Sequence, residues 1–161
     1  SAQDNVLLGM HGHPRAGLVD AISYTPKKRR EETACNERAE EILRLMGLWE
    51  DRYALSTSLP YGKQRRLEIA RALATNPKLL LLDEPAAGMN EQETAELLEM
   101  VRNLKQLGYT ILLIEHDMKF VINVCERLYV LNYGEMLAEG EPAEVRSNPQ
   151  VIEAYLGKED D

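Results

Sequence analysis

Four consecutive leucines, Leu79–Leu82, close on Asp83 and Glu84, and a second apolar run, Ile111–Ile114, closes on Glu115 and His116. Unbroken apolar runs this short predict strands buried on both faces of a parallel sheet. Between them, Glu91–Gln106 places Leu97, Val101 and Leu104 at the period of a helix with one inward stripe. Its acidic first turn suits the helix dipole, and Gly108 ends it. Met118–Cys125 reads as a short helix whose Phe120, Val121 and Val124 face the core. Arg127–Leu131 and Glu135–Glu139 read as a hairpin around Asn132-Tyr133-Gly134. Two short helices close the chain, the second being Pro149–Leu156. Strand–helix–strand–helix order predicts a parallel α/β core over residues 76–161.

Residues 1–75 carry helical periods only. Ser1 with Asp4 suits a capping box ahead of a helix over Asn5–Met10. His11, Gly12, His13, Pro14, Gly17 and Pro26 give residues 11–32 the composition of a loop, in which both histidines are read as solvated. Its basic end, Lys27–Arg30, is read as solvated charge. A helix is expected from about Thr33 to Met46, with Ile42, Leu45 and Met46 on one face and Gly47 as its stop. Leu48–Pro60 is connector. Gly62–Thr75 is a third helix, turning Leu67, Ile69, Ala70 and Leu73 inward. An all-helical unit thus precedes the α/β core.

Composition narrows the partners. The 161 residues are 44% hydrophobic and 29% charged, the range of an ordinary globular chain. A net charge of −8, from 19 basic and 27 acidic side chains, argues against general nucleic-acid binding, which relies on neutralising phosphates. The apolar runs fall far short of the roughly 20 residues that a membrane span needs, and nothing at the start resembles a secretion signal. Cys35 and Cys125 lie in helical patterns without metal-like spacing, so they are expected to be structural thiols.

The candidate chemistry gathers at strand and helix ends. Asp83 and Glu84 close an apolar strand, where alternation would point two carboxylates in different directions, one toward a Mg²⁺ and one toward water. Taken alone, the pair is equally an acidic cap on a strand end. Gly62 lies in a loop that opens a basic helix, where free N–H groups attract an anion. Arg65 and Arg66 would be mildly unfavourable at that end unless a phosphate lies opposite them. Asn90 is well chosen as a helix N-cap. His116 follows the second strand directly. No G-x-x-x-x-G-K-[ST] occurs, so the loop that cradles nucleotide phosphates is missing.

Taken together, Leu59-Pro60-Tyr61-Gly62-Lys63-Gln64 and the helix after it, Leu79–Glu84, Pro85–Asn90, and Ile111–Asp117 resemble the signature, Walker B, D-loop and switch segments of ATP-binding-cassette (ABC) ATPases. The closing N-P-x-V-I-x-A-Y-L-G and a signature without the usual serine are similar to the ATP-binding subunit of bacterial branched-chain amino-acid importers. Related urea importers and a lipopolysaccharide-export ATPase are close competitors. Pro60 stands where the family has serine, Tyr61 where it has glycine, and Asn90 where it commonly has aspartate.

The resemblance implies an incomplete P-loop (RecA-like) core with a parallel sheet at 76–161, preceded by a helical signature subdomain at 1–75. It implies ATP and Mg²⁺ as ligands, Glu84 as base, His116 as switch and Asp83 as the metal residue. Leu59, Pro60, Tyr61, Gly62, Lys63, Gln64 and Asn90 would contact the nucleotide of a partner subunit. Ser1 would fall just after the Q-loop, with Walker A before it, so this chain alone is expected to be inactive. Expected partners are a second ATPase subunit and transmembrane permease subunits, with no nucleic acid and no direct membrane insertion. The place would be cytoplasmic, on the inner face of the bacterial membrane. A soluble ABC-class ATPase of repair or translation, or a non-enzymatic interaction fragment, are the alternatives.

Overall fold

The computed structural model describes residues 1–10 and 26–156. The chain divides into two compact units, Ser1–Leu80 and Leu81–Asp161. The expected loop carrying His11, His13 and Gly17 lies largely outside the described residues, as does the Lys27 side chain.

In the first unit, helix α1 spans Ala2–Met10. The Asp4 amide donates to Ser1 Oγ at 3.2 Å, and the Ser1 amino group donates back to Asp4 Oδ2 at 3.0 Å, so the local cap is the one expected. Helix α2 runs Pro26–Leu45, which corrects the expected loop and start near Thr33. Its residues from 28 to 38 are mostly exposed, so there is no apolar stripe for periodicity to detect. Good helix formers and local bonds carry this stretch instead: Thr33 Oγ1 donates to Arg29 O, and Asn36 Nδ2 to Glu32 O, each at 2.9 Å. Lys28–Arg30 therefore belong to a helix.

The buried end of α2 contributes Ala39, Ile42 and Leu43, followed by Met46 and Leu48. It stops at Gly47, φ +65°, with Gly47 N–H bonded to Arg44 O and Leu48 N–H to Leu43 O, the paired bonds of a Schellman end. After a short 3₁₀ turn at Ser56–Ser58, helix α3 spans Tyr61–Ala74. It buries Leu67, Ile69, Ala70, Leu73 and Ala74. Helix α1 crosses it at Gly9, where an added Cβ would lie 2.7 Å from Arg71 O and 2.9 Å from Ala74 Cβ. The missing side chain at Gly9 is what lets the two backbones come so close.

In the second unit, strand β1 (Leu79–Asp83) enters from the first and lies beside strand β2 (Thr110–Ile114) in a parallel pair. Helix α4 (Glu91–Gln106) makes the crossover that parallel strands require. It buries Leu97, Met100, Val101 and Leu104. The strands depart from the expectation of burial on both faces. Leu80 and Leu82 are buried, whereas Leu79, Leu81, Leu112 and Ile114 are largely exposed. A run of leucines records a need for cover on both faces; it cannot say that both covering layers are among the described residues.

Helix α5 (Met118–Val124) starts at Asp117, whose carboxylate accepts the Lys119 and Phe120 amides at 2.8 and 3.1 Å. Strands β3 (Leu128–Asn132) and β4 (Glu135–Gly140) form the expected antiparallel hairpin, irregular in register between Val130 and Leu131. Tyr133 and Gly134 both take positive φ, 48° and 82°, as a tight two-residue hairpin turn demands. Helices α6 (Pro142–Arg146) and α7 (Pro149–Val151) follow. Residues Ile152–Leu156 are wound as a π-helix, not as the α-helix expected through Leu156. Val121, Leu128, Val130, Val145 and Val151 form one core cluster.

Candidate functional site

Each unit carries one of the expected places. In the first unit, the chain reaches α3 through buried Leu59 and exposed Pro60, the N-cap residue, at φ −53° and ψ 152°. No side chain caps this helix, because proline has no polar group to offer. Gln64 N–H donates to Pro60 O at 3.0 Å, and the Gln64 side chain folds back to donate to Leu59 O at 2.7 Å. Lys63 Nζ is taken by Asp51 Oδ2 at 2.5 Å. Gly62 is buried and Tyr61 exposed.

The sequence suggested that a phosphate must relieve the basic first turn. Part of that relief is local. Arg65 donates to Glu68 Oε2 at 2.8 Å and to Tyr61 Oη at 2.9 Å. These bonds, the Glu68 one foremost, push the guanidinium's affinity for its proton up further.

In the second unit, β1 ends at Asp83, which is exposed. Glu84 then leaves the extended conformation with φ +43°, a left-handed backbone that glutamate rarely adopts. The two carboxylates are separated by this turn and not by the strand alternation expected. Three hydrogen bonds hold the turn. Glu84 N–H donates to Ile114 O at 2.9 Å, Ala87 N–H to Glu84 O at 3.1 Å, and Ala86 N–H to Glu115 Oε1 at 2.9 Å.

Beside it, the end of β2 delivers His116, whose Nδ1 lies 3.5 Å from Glu84 Oε1. Both side chains reach solvent, 70% exposed for His116 and 55% for Glu84. Glu84 and His116 are thus brought together as the sequence suggested. Asn90 caps α4, accepting the Glu93 amide at 3.0 Å while Glu93 accepts the Asn90 amide at 3.1 Å.

Sequence reasoning gave no role to Glu115. Its side chain is only 1% exposed, and its second oxygen accepts the His116 amide at 3.3 Å while lying 3.9 Å from His116 Nδ1. The available signal was an acid terminating an apolar strand one residue before a candidate histidine. Among the described residues, no group of three or more His, Cys, Asp or Glu side chains could hold a metal ion by itself.

Solved structures to which this chain is similar include ATP-binding cassettes of ABC transporters. Residues 9–87 match the family model described as ABC transporter, and residues 135–161 the one described as branched-chain amino acid ATP-binding cassette transporter. The chain is 47% identical over 156 residues to the high-affinity branched-chain amino acid transport ATP-binding protein LivG of Salmonella typhimurium, covering 96% of this chain and 61% of that protein. It is 42% identical over 159 residues to the corresponding Pseudomonas aeruginosa protein, BraF, covering 98% of this chain and 62% of BraF. The crystal structure of the ADP conformation of MJ1267, an ATP-binding cassette of an ABC transporter, superposes with a TM-score of 0.76 at 33% identity, covering 98% of this chain and 63% of that one.

The chain belongs to the ABC transporter ATPase family, in its branched-chain amino acid ATP-binding branch. It spans little more than three-fifths of the length of these relatives.

Proposed function

We propose that the whole protein is the ATP-hydrolysing subunit of a bacterial importer of branched-chain amino acids. It would work as a pair of ATPase subunits beneath transmembrane permease subunits, peripheral on the inner face of the membrane. The observation that carries this reading is the meeting of Glu84 and His116, Oε1 to Nδ1 at 3.5 Å, beside Asp83 at the end of a parallel strand. Family membership and the names of the relatives supply the substrate class. Among the described residues no helix is long and apolar enough to cross a membrane, which suits a subunit that relies on permease partners.

In this reading Glu84 accepts a hydrogen bond from the attacking water and draws off its proton. His116, exposed beside it, contacts the γ-phosphate and fixes the water's direction. Asp83 would hold Mg²⁺ through water. One exposed carboxylate fits that task, because Mg²⁺ is commonly bound by one or two carboxylates and completed by phosphates and water. When bound, the ion neutralises charge on the transferring phosphoryl group.

The open N-terminus of α3, at Leu59–Gln64, would meet the γ-phosphate held by the other subunit. The main-chain N–H groups of its first three residues, Tyr61–Lys63, are suited to this, whereas Gln64 N–H is already bonded to Pro60 O. Asn90 would close the D-loop as well as cap α4. The signature subdomain would comprise residues 1–75, and the rest of the ATPase core 76–161.

The test compares three variants of the whole protein in turnover and ATP-dependent dimerisation. Glu84→Gln keeps size but removes the base, so hydrolysis should fall by about 10²–10⁴ while ATP still binds and holds the dimer closed. His116→Ala should also slow hydrolysis, with weaker stabilisation of the ATP-bound dimer. Asp83→Asn should raise the Mg²⁺ requirement. Hydrolysis at the parent rate in Glu84→Gln would remove the hydrolytic reading.

A further inference from the structure

A carboxylate with a 1% exposed side chain needs a reason to be there, because burying one without partners is strongly unfavourable. Glu115 has partners, and they come from both halves of the candidate hydrolytic pair. One oxygen accepts the Ala86 amide at 2.9 Å, two residues beyond Glu84. The other accepts the His116 amide at 3.3 Å and lies 3.9 Å from the imidazole Nδ1. Ile114, immediately before it, accepts the Glu84 amide at 2.9 Å. The end of β2 therefore grips the left-handed turn on both sides of the Glu84 side chain, and the same carboxylate holds the histidine's backbone. A left-handed glutamate persists only where its surroundings over-determine it, and these bonds do so.

We propose that Glu115 is a positioning residue: its buried carboxylate ties the turn bearing Glu84 to the backbone of His116, and so fixes base and switch relative to each other. A shift of the Pro85–Asn90 segment is then passed to His116 through Glu115. The proposal rests on the hydrolytic reading above for its consequence in catalysis, but not for its geometry.

A carboxylate has acceptors on both oxygens, whereas a carboxamide has an acceptor on one side and a donor on the other. Glu115→Gln can therefore hold only one of the two amides and must present N–H to the other. Glu115→Ala loses both.

In the whole protein, both variants should lower kcat for ATP by about tenfold or more, since small misplacements of reacting groups are costly, with KM within about twofold. The same substitutions in a His116→Ala background should lower kcat by less than about threefold, because groups acting as a unit are non-additive. Hydrogen exchange at the Ala86 amide, read in the whole protein, should quicken by about tenfold or more in Glu115→Ala.

A kcat within twofold of the parent overturns the proposal, and so does an equal loss in the two backgrounds, which is what a merely structural carboxylate would give. If Glu115→Ala does not fold, the isosteric Glu115→Gln still decides the kinetic comparison. Should Glu84→Gln retain full hydrolysis, the hydrolytic reading fails by itself. Unchanged Ala86 exchange in a folded Glu115→Ala would instead overturn the geometric claim.

Discussion

Glycine, not glutamate, is the residue that best suits the backbone at position 84. Its φ of +43° lies in the left-handed region, which costs a residue with a Cβ about 1–2 kcal/mol. Glycine escapes that strain but forfeits about 0.5–1 kcal/mol in the greater freedom of its unfolded chain. The side chain gives up little when truncated. It is 55% exposed, and its contact with the 70% exposed His116 is a surface pair of the kind worth about 0–1 kcal/mol.

Glu84→Gly and Glu84→Ala lose that same contact, so their difference isolates the backbone. Glu84→Gly should be the more stable of the two by about 0.5–1 kcal/mol. At Ala95, exposed on α4, Ala95→Gly should instead lose about 1 kcal/mol, the ordinary helical order. Urea unfolding of the 161-residue chain, followed by far-ultraviolet circular dichroism, reads both comparisons. With a slope of about 1–3 kcal/mol/M, the Glu84 pair should differ in midpoint by a few tenths molar. If Glu84→Ala is as stable as Glu84→Gly, the left-handed turn is not held in solution. If glycine wins, glutamate at this position is retained against stability, which is the signature of a residue kept for chemistry.

Gly9→Ala should destabilise the chain despite the better helix propensity of alanine. Its methyl would meet a carbonyl and an alanine Cβ at 2.7 and 2.9 Å, and overpacking of this kind costs about 1–3 kcal/mol against roughly 1 gained; an unchanged unfolding midpoint would refute it. Burial raises the Cys125 thiol pKa, with Lys105 opposing weakly, so alkylation of Cys125 should set in only above the ordinary thiol range. Below that range both folded and unfolded thiols are protonated. As pH rises through it the unfolded chain releases its proton first, so this contribution to stability is lost until the folded pKa is passed. Cys125 alkylation at pH 7 as fast as in the urea-unfolded chain would count against the burial. The 161-residue chain by itself, with no G-x-x-x-x-G-K-[ST], should release no phosphate from MgATP above a Glu84→Gln control.

What the sequence disclosed depended on whether the deciding interaction was periodic, local or between strands. Helix α4 was legible in the sequence, because its inward stripe, its acidic first turn, Asn90 as N-cap and Gly108 as stop all act within a turn or two. The start of α2 was not, because its solvated turns bury nothing that could leave a pattern. The outer faces of β1 and β2 were misjudged for a related reason: apolar residues mark a face that wants cover, and cover is a property of another layer.

At the site the division is finer. Asp83, Glu84 and His116 stand out as residue types at strand ends, so the strand pattern located them. The left-handed turn at Glu84 has no glycine or asparagine to announce it, and it exists because Ile114 at the end of β2 and Glu115 just after it supply acceptors across a separation of some thirty residues in sequence. Glu115 read as one more acid in a charged chain, since only the fold shows that its neighbours on both sides are amides. The chemistry-bearing groups were visible as letters; the group that holds them in register was visible only as geometry. That is the physical reason to expect kcat, more than ATP affinity, to respond to Glu115: it bonds the Ala86 amide in the turn that follows Glu84 and the His116 amide, and so bears on how base and switch stand relative to each other.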